Sequence, residues 1–369
     1  MIKTDQEIIY EIGVSLLPGV GCINSKTLVA YCGGAEGVFK QKKGHLEKID
    51  GIGPKLAHAI SNQSVLVQAE EELKFIRKQN LQTLFFNDAD YPYRLKQAID
   101  SPIILYYKGV DVLNYNRILA IVGTRNITER GKELTDAFVE KLKDAGVMIV
   151  SGLAYGVDTR AHKACVKNKI PTVGVVAHGM HTIYPAINRG LAEEMQIQGG
   201  IISEFVSGTK PDAFNFPQRN RIIAGMADAT LVVESGKKGG SLITADIANS
   251  YSRDVYAIPG RPGDNYSRGC NFLIKTHRAA LVESAEDLLY QLSWDVKERP
   301  KVIQPKLFLD LKPEEQMIVD ILEKSSNTAI DRLMMESKLP SSKLAASLLS
   351  LEFAGVIKCL PGKVYQLLR

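Results

Sequence analysis

The chain reads as an α/β protein: an extended Rossmann-like, doubly wound sheet, flanked by a small helical module on the N-terminal side and a winged helix on the C-terminal side. Three observations carry that expectation. Between about residues 80 and 293, short apolar β-branched runs alternate with amphipathic stretches, the pattern of parallel strands buried on both faces and joined by helices. Two glycine-centred turns, each followed by a helical pattern, precede that region. Three amphipathic segments and a terminal hairpin pattern follow it.

Taken in order, residues 1–75 hold the turns LPGVG (Leu17 to Gly21) and IDGIGPK (Ile49 to Lys55). A hydrophobic-Gly-hydrophobic-Gly turn between short helices is the signature of a helix-hairpin-helix, in which glycine permits a tight turn that bares backbone N–H groups to phosphate. Gly19, Gly21, Gly51, Gly53 and Lys55 are therefore candidates for a duplex backbone; the alternative is a pair of ordinary helix connections in a small bundle. In residues 80–293 the runs ILAIVG (118–123), VMIVSG (147–152), TVGVVA (172–177), GIIS (200–203), ATLVVES (229–235) and VYAIPG (255–260) are the expected strands. A helix is expected over 131–145, with Leu134, Phe138, Leu142 and Ala145 on one face. Residues 294–312, with two prolines and little periodicity, mark a linker. In 313–369, PEEQMIVDILEK, TAIDRLMMESK and the stretch from Pro340 to Phe353 are helical, and GVIKCL and KVYQLL, joined by Pro361 and Gly362, form a hairpin. Three helices followed by a hairpin is the winged-helix arrangement.

Composition narrows the function. At 369 residues the chain is long for one core, so two or three domains are expected. Its five cysteines are scattered without a C-x-x-C pair, which disfavours disulfides and zinc. His178 and His181 have a ligand-like spacing, but no acidic or sulfur partner shares their loop, so no metal is expected. No run approaches the roughly 20 apolar residues of a membrane span, and acidic residues in MIKTDQEIIYEIG break any secretory signal. A cytoplasmic protein without membrane contact is expected. The net charge of +5 suits a polyanionic partner without announcing one.

Ligands of such sheets sit at the carboxyl ends of the strands. The first central strand ends in Gly123, Thr124, Arg125 and Asn126 ahead of a helix that starts near Thr128, a loop suited to an anion, with Arg125 as a charged fork. It lacks G-x-G-x-x-G and a ribose-holding acid, so no dinucleotide cofactor is expected, nor any other. SGLAYGVDTRAH (Ser151 to His162) sets Asp158 and His162 four residues apart; an acid–base dyad is conceivable, but a structural pair at a helix start is the favoured reading. FNFPQRNRIIAGMADATLVVE (Phe214 to Glu234) interleaves aromatic and guanidinium groups, as single-strand binders do. Phe216 is the stacking candidate. Arg219 and Arg221 would point about 200° apart on a helix, so Arg219 is assigned to DNA, with Asn220 beside it, and Arg221 to a buried carboxylate such as Glu204 or Glu234. In SGKKGGSLITADIA, the residues Lys237, Lys238, Gly239, Gly240 and Ser241 lead into another helix and again suit phosphate. Together these loops suggest one basic groove.

The ordered motifs GTR, SGLAYGVDTRAH, IYPAINRGLA, GGIISEF, FPQRNRIIAG, VVESGKKGGSLITADIA, VYAIPG and GCNFLI resemble the bacterial DNA-processing protein A family, also called Smf, over roughly 80–293. The resemblance implies an extended Rossmann fold that binds single-stranded DNA, dimerises through that domain, and loads the RecA recombinase onto incoming strands in natural transformation. It also implies an N-terminal helix-hairpin-helix or SAM-like domain and a C-terminal winged helix. On this basis Arg125 is similar to the family's DNA-contacting arginine, Phe216 to its aromatic, and Lys237 and Lys238 to its variable basic loop. The chain departs at Ala177 to Met180, AHGM, where many relatives have a glycine–cysteine turn.

Two rivals remain. A phosphoribohydrolase-like nucleotide-processing enzyme would carry P-G-G-x-G-T-x-x-E, whereas KKGGSLITAD lacks both the proline and the glutamate. A winged-helix regulator would need a reading helix rich in polar and basic groups, yet between Pro340 and Phe353 the charged residues are Lys343 and Glu352. There Leu344, Leu348, Leu349 and Leu351 dominate, leaving Ser and Ala for the expected exposed face. A non-catalytic single-strand binder is the expected function.

Overall fold

Thr4 opens the first helix, α1 (Asp5–Ser15), through a capping box: its side chain takes the Glu7 N–H, and the Glu7 carboxylate takes the Thr4 N–H at 2.7 Å. Five further helices follow: α2 (Cys22–Cys32), α3 (Ala35–Lys40), α4 (Lys43–Leu46), α5 (Pro54–Ser61) and α6 (Val65–Gln79). In the computed structural model the described residues are 3–294, 311–325, 328–354, 356–360 and 363–367, and the chain divides into two units, 1–296 and 297–369. The helices α1 to α6 share a core with the sheet: Ile12, Leu28, Ile60 and Ile76 pack in one cluster with Phe85, Ile104 and Tyr106. Polar ties reinforce this packing, with Lys3 bridging Glu11 and Asp88, Lys26 reaching Ser101, and Glu72 accepting the Ser207 N–H.

The sheet then builds through β1 (Gln82–Phe85), α7 (Tyr93–Lys96), β2 (Ile104–Gly109), β3 (Ile118–Val122), α8 (Glu129–Leu142), β4 (Met148–Ser151), α9 (Val157–Asn168), β5 (Thr172–Val175), α10 (Arg189–Met195) and β6 (Gly200–Ser203). It continues through α11 (Asn215–Met226), β7 (Ala229–Val232), α12 (Gly240–Ser250), β8 (Asp254–Ala257), α13 (Arg268–Lys275), β9 (Ala280–Leu281) and α14 (Ala285–Gln291). Strand order is β1-β2-β6-β5-β4-β3-β7-β8-β9. From β6 to β9 the pairs are parallel; β1 and β2 add to the β6 edge in antiparallel fashion. All six expected strands form, within a residue or a few of their ends, and Thr128 caps α8 by accepting the Gly131 N–H at 3.0 Å. The sheet is buried on both faces, by one core around Val122, Val150, Ile222 and Ala245 and a second around Ile121, Ile149, Phe138 and Ala161. Order reverses between β3 and β7, so a crevice opens beyond their carboxyl ends.

The second unit contains α15 (Pro313–Lys324), β10 (Thr328–Ala329), α16 (Ile330–Ser337), α17 (Ser341–Phe353), β11 (Ile357–Leu360) and β12 (Val364–Leu367), with strand order β10-β12-β11 and a core of Ile318, Leu322, Leu333, Leu344, Leu348 and Leu351. It is a winged helix. One detail departs from expectation: the open face of α17 also carries Leu349, 55% exposed, and Phe353, 85% exposed, because the helix spends only every third or fourth position on so small a core. The expected linker lies almost wholly outside the described residues, as do Pro361 and Gly362 of the hairpin.

Candidate nucleic-acid interface

A cleft of about 1170 Å³ lies at the strand ends on either side of the β3–β7 reversal. Its walls come from the loops after β3, β6 and β7, the starts of α11 and α12, and Tyr184 from the loop before α10. The loop after β3 is fixed by backbone bonds: Thr124 N–H donates to the Glu234 carbonyl at 2.7 Å, Val157 N–H donates to the Thr124 carbonyl at 3.1 Å, and Asn126 N–H donates to Thr124 Oγ1 at 3.1 Å. Gly156 permits this close approach at φ +79°, where a Cβ would strike the Thr124 carbonyl. The Thr124 N–H is thus already paired, and the loop presents the exposed Arg125 side chain, which stands 5.1 Å from the centre of the Phe216 ring. Gly123 and Thr124 are half-buried at the base of this wall.

Phe216 sits in the first turn of α11, half-buried, with the Arg219 guanidinium 5.9 Å from its ring centre. The helical 200° split between Arg219 and Arg221 is present, but each arginine has internal work. Arg219 is only 4% exposed; it donates to the carbonyls of Gly152 and Val175 and, through Nε, to Asn220 Oδ1 at 3.2 Å. Direct contact between Arg219 and DNA is therefore corrected to an internal role, because its donors already satisfy the strand-end carbonyls of β4 and β5. Burial lowers the Arg219 pKa to about 10, with Asp158 acting the other way, so the group stays charged at neutral pH. Asn220 is buried too and reaches the Gly240 carbonyl at 3.4 Å, joining α11 to α12. Arg221 pairs with Glu204, not Glu234, and also meets the Asp100 carbonyl. Glu234 instead receives the Thr128 N–H at 3.0 Å and the Thr128 hydroxyl at 2.5 Å.

Asp158 and His162 do not form a pair. Asp158 accepts the N–H of Gly152 at 3.1 Å and of Ala154 at 3.4 Å; burial raises its pKa, against the pull of the nearby Arg219 charge. His162 faces the other way, fully buried, with Nδ1 at 2.7 Å from Thr172 Oγ1, and burial pushes its pKa down to about 3. Both are structural groups. Across the cleft, Lys237, Lys238 and Gly240 are exposed, and α12 starts without a side-chain cap. The Ser241 hydroxyl is buried and donates to Ser235 Oγ at 3.0 Å. Three groups passed over in the sequence also line the cleft: Tyr184, Lys210 and Tyr266. Tyr184 lay inside a quoted motif, and its aromatic character next to a proline was the available signal; Lys210 and Tyr266 carried none beyond residue type.

The helix-hairpin-helix candidates lie on the surface of the helical module. Gly19 and Gly51 have φ of +74° and +80°, and Gly21 and Gly53 cap α2 and α5 without side-chain bonds. The turns face each other's helices, since a Cβ on Gly19 would meet Leu56 at 3.3 Å and one on Gly51 would meet Asn24 at 3.2 Å. Lys55 is exposed in the first turn of α5.

Comparison with known proteins decides the family. The model of DNA recombination-mediator protein A matches residues 82–293, and that of the DprA winged helix domain matches residues 306–363. The chain belongs to the DNA recombination-mediator protein A family. It is similar to Protein Smf of Synechocystis, at 32% identity over 98% of this chain and 99% of that one, and to the DNA processing protein DprA of Bacillus subtilis, at 40% identity over 58% and 73%. Among solved structures, DNA processing protein A of Streptococcus pneumoniae superposes with a TM-score of 0.66 at 32% identity, covering 79% of this chain and 99% of that one. The family's Helicobacter pylori member, whose structure addresses its single-stranded DNA binding mode, gives 0.53 at 28% identity, covering 58% and 96%. The β3–β7 cleft falls inside the residues matched by the family model.

Proposed function

We propose that this recombination mediator holds single-stranded DNA in the β3–β7 cleft without catalysing a reaction, and passes the strand to a RecA-class recombinase while acting as a cytoplasmic homodimer joined through the Rossmann-like domain. The observation that carries the DNA reading is the composition of the cleft. An exposed arginine rests against an aromatic ring on one wall, lysines stand on the others, and further aromatic groups line the rim. Charge for phosphates and rings for bases are the two sequence-tolerant ways of gripping a single strand. Arg125, Lys238, Lys237, Phe216, Gly123, Thr124 and Gly240 are the proposed contact set. Asn220 and Ser241 are proposed to act from beneath it, and Gly19, Gly21, Gly51, Gly53 and Lys55 as a separate contact for duplex backbone.

The non-enzymatic reading is supported by how the titratable groups are spent. Asp158 is turned to backbone N–H groups and His162 to Thr172, so neither is offered to a ligand for proton transfer. A regulator that reads DNA with the winged helix is disfavoured by α17, whose Lys343 pairs with Glu314 at 3.2 Å. Titrations of a labelled oligothymidylate, a blunt duplex and mononucleotides across a salt series test the proposal. Tighter, salt-sensitive binding of the single strand is expected; equal affinity for the duplex, or product formed from a nucleotide and lost in Asp158→Asn, would overturn it.

A further inference from the structure

His178 and His181 have the spacing of metal ligands in the sequence, but both spend ring nitrogens on the backbone. His178 is 1% exposed, and its Nδ1 lies 2.9 Å from the Gly179 carbonyl oxygen, which places the proton on Nδ1. Nε2 is then an acceptor, and it takes the Tyr184 N–H at 3.1 Å. Burial lowers the His178 pKa, in keeping with this neutral form. His181 Nδ1 accepts the Gly208 N–H at 3.1 Å. The histidines thus fix two neighbouring segments, one ending in Tyr184 and the other leading to Lys210, and both of those side chains line the cleft.

What His178 holds is the more open aromatic of this wall. Tyr184 is 46% exposed and its ring centre is 6.3 Å from that of Phe216, with the planes tilted by 51°. The tilt means that the two rings do not stack on each other, so Tyr184 is not consumed by its neighbour. Phe216, by contrast, is half-buried and already has the guanidinium groups of Arg125 and Arg219 over its ring.

We infer that Tyr184 is a base-stacking residue of the cleft and that His178 is its positioning residue. This deepens the single-strand reading and rests on it. A base placed against Tyr184 lies beside Phe216 and Arg125, so its neighbouring phosphate can meet the arginine fork, and Phe216 serves as much to orient Arg125 as to stack. AHGM, the stretch that departs from many relatives, then has a specific task here: its histidine supplies the acceptor that fixes the tyrosine.

The test measures anisotropy of the full chain with an oligothymidylate and with an abasic strand of equal length. Tyr184→Ala is expected to lose at least about fivefold on the oligothymidylate, the lower end of one stacked base, and less than about twofold on the abasic strand, where phosphate contacts remain. Tyr184→Phe retains binding. His178→Ala falls toward Tyr184→Ala, whereas His178→Gln, which can both donate to Gly179 and accept from Tyr184, recovers most of the loss. Undiminished oligothymidylate binding by Tyr184→Ala, or an equal loss on both strands, overturns the stacking role; undiminished binding by His178→Ala overturns the positioning role. Tyr184 is exposed, so its variants report even if His178→Ala fails to fold. Failure of the unaltered protein to bind either strand would instead refute the single-strand reading itself.

Discussion

Replacing Arg125 with alanine removes one exposed charge from the cleft, and the structure says what that should cost. The cationic side chains available to phosphates there are Arg125, Lys210 and Lys238 on the lining and Lys237 beside them, all exposed. Arg219 is left out of the count because it is buried and its donors are committed to carbonyls. If each of the four neutralises one phosphate, the logarithm of affinity should fall with the logarithm of salt at a slope of about −2.8, from roughly −0.7 per contact on a single strand. Between about 50 and 200 mM salt that slope is a loss of roughly 50-fold. Arg125→Ala should bring the slope to about −2.1 and cost about 1.5–3 kcal/mol at low salt, the range of a hydrogen bond to a charged group. Arg125→Lys should restore the slope while leaving part of the affinity loss, because an ammonium cannot reproduce the guanidinium fork and its contact with Phe216. Anisotropy titrations with an oligothymidylate at several salt concentrations measure both quantities. An unchanged slope in Arg125→Ala would refute the assignment, and a slope shallower than about −1 in the unaltered protein would refute the groove.

The remaining expectations concern stability and the tail. Arg221→Met leaves Glu204 buried without its cation and should destabilise the first unit by about 3–5 kcal/mol, read as a lowered urea midpoint; a change below about 1 kcal/mol would mean the pair is not a structural tie. His162 is held neutral, its pKa falling from 6.5 to about 3 on burial, so the unfolded chain takes up the proton first and stability is lost as pH drops below about 6.5. The loss by pH 5 is about 2 kcal/mol. His162→Gln should remove that part of the acid sensitivity, and denaturation curves of equal pH dependence in both proteins would contradict it. Truncation after Trp294 should leave single-strand affinity nearly unchanged, and a tenfold loss in a gel shift, about 1.4 kcal/mol, would return the winged helix to the DNA-binding surface.

The strands were legible because a parallel strand buried on both faces must be apolar at nearly every position, as ILAIV and TVGV are. The antiparallel edge was less so. β1 is buried only at Leu84 and Phe85, and β2 reads as one more apolar run whose direction a local pattern cannot give. The 200° separation of Arg219 and Arg221 followed from helical geometry alone, but which face of α11 met the cleft depended on how that helix sat over the strand ends, a tertiary fact. Ser241 was missed for the same reason: its position at a helix start suggested a phosphate, while its hydroxyl found Ser235. In the tail, Leu349 read as core because the sequence shows residue type and not the size of the core available to bury it.

The misassigned arginine explains how the cleft works better than the expected contact would have done. Parallel strands bring carbonyl groups together at their carboxyl ends, and the carbonyls of Gly152 and Val175 would be left without partners there. Arg219 satisfies both, and a Cβ at Gly152 would lie 2.5 Å from its guanidinium, so glycine at that position is what admits the charge. Burying a cation is costly unless a counter-charge is near, and the buried Asp158 provides one, itself steadied by two backbone N–H groups. Mobile, exposed Lys or Arg at this place could swing toward the carbonyls or toward a ligand. A charge locked into the floor can do only the former, and it holds up Phe216, which in turn supports Arg125. The side chain that meets phosphate is therefore presented by a stack whose base is internal to the fold, so the orientation of Arg125 is set before any strand arrives and less of the binding energy goes into ordering it.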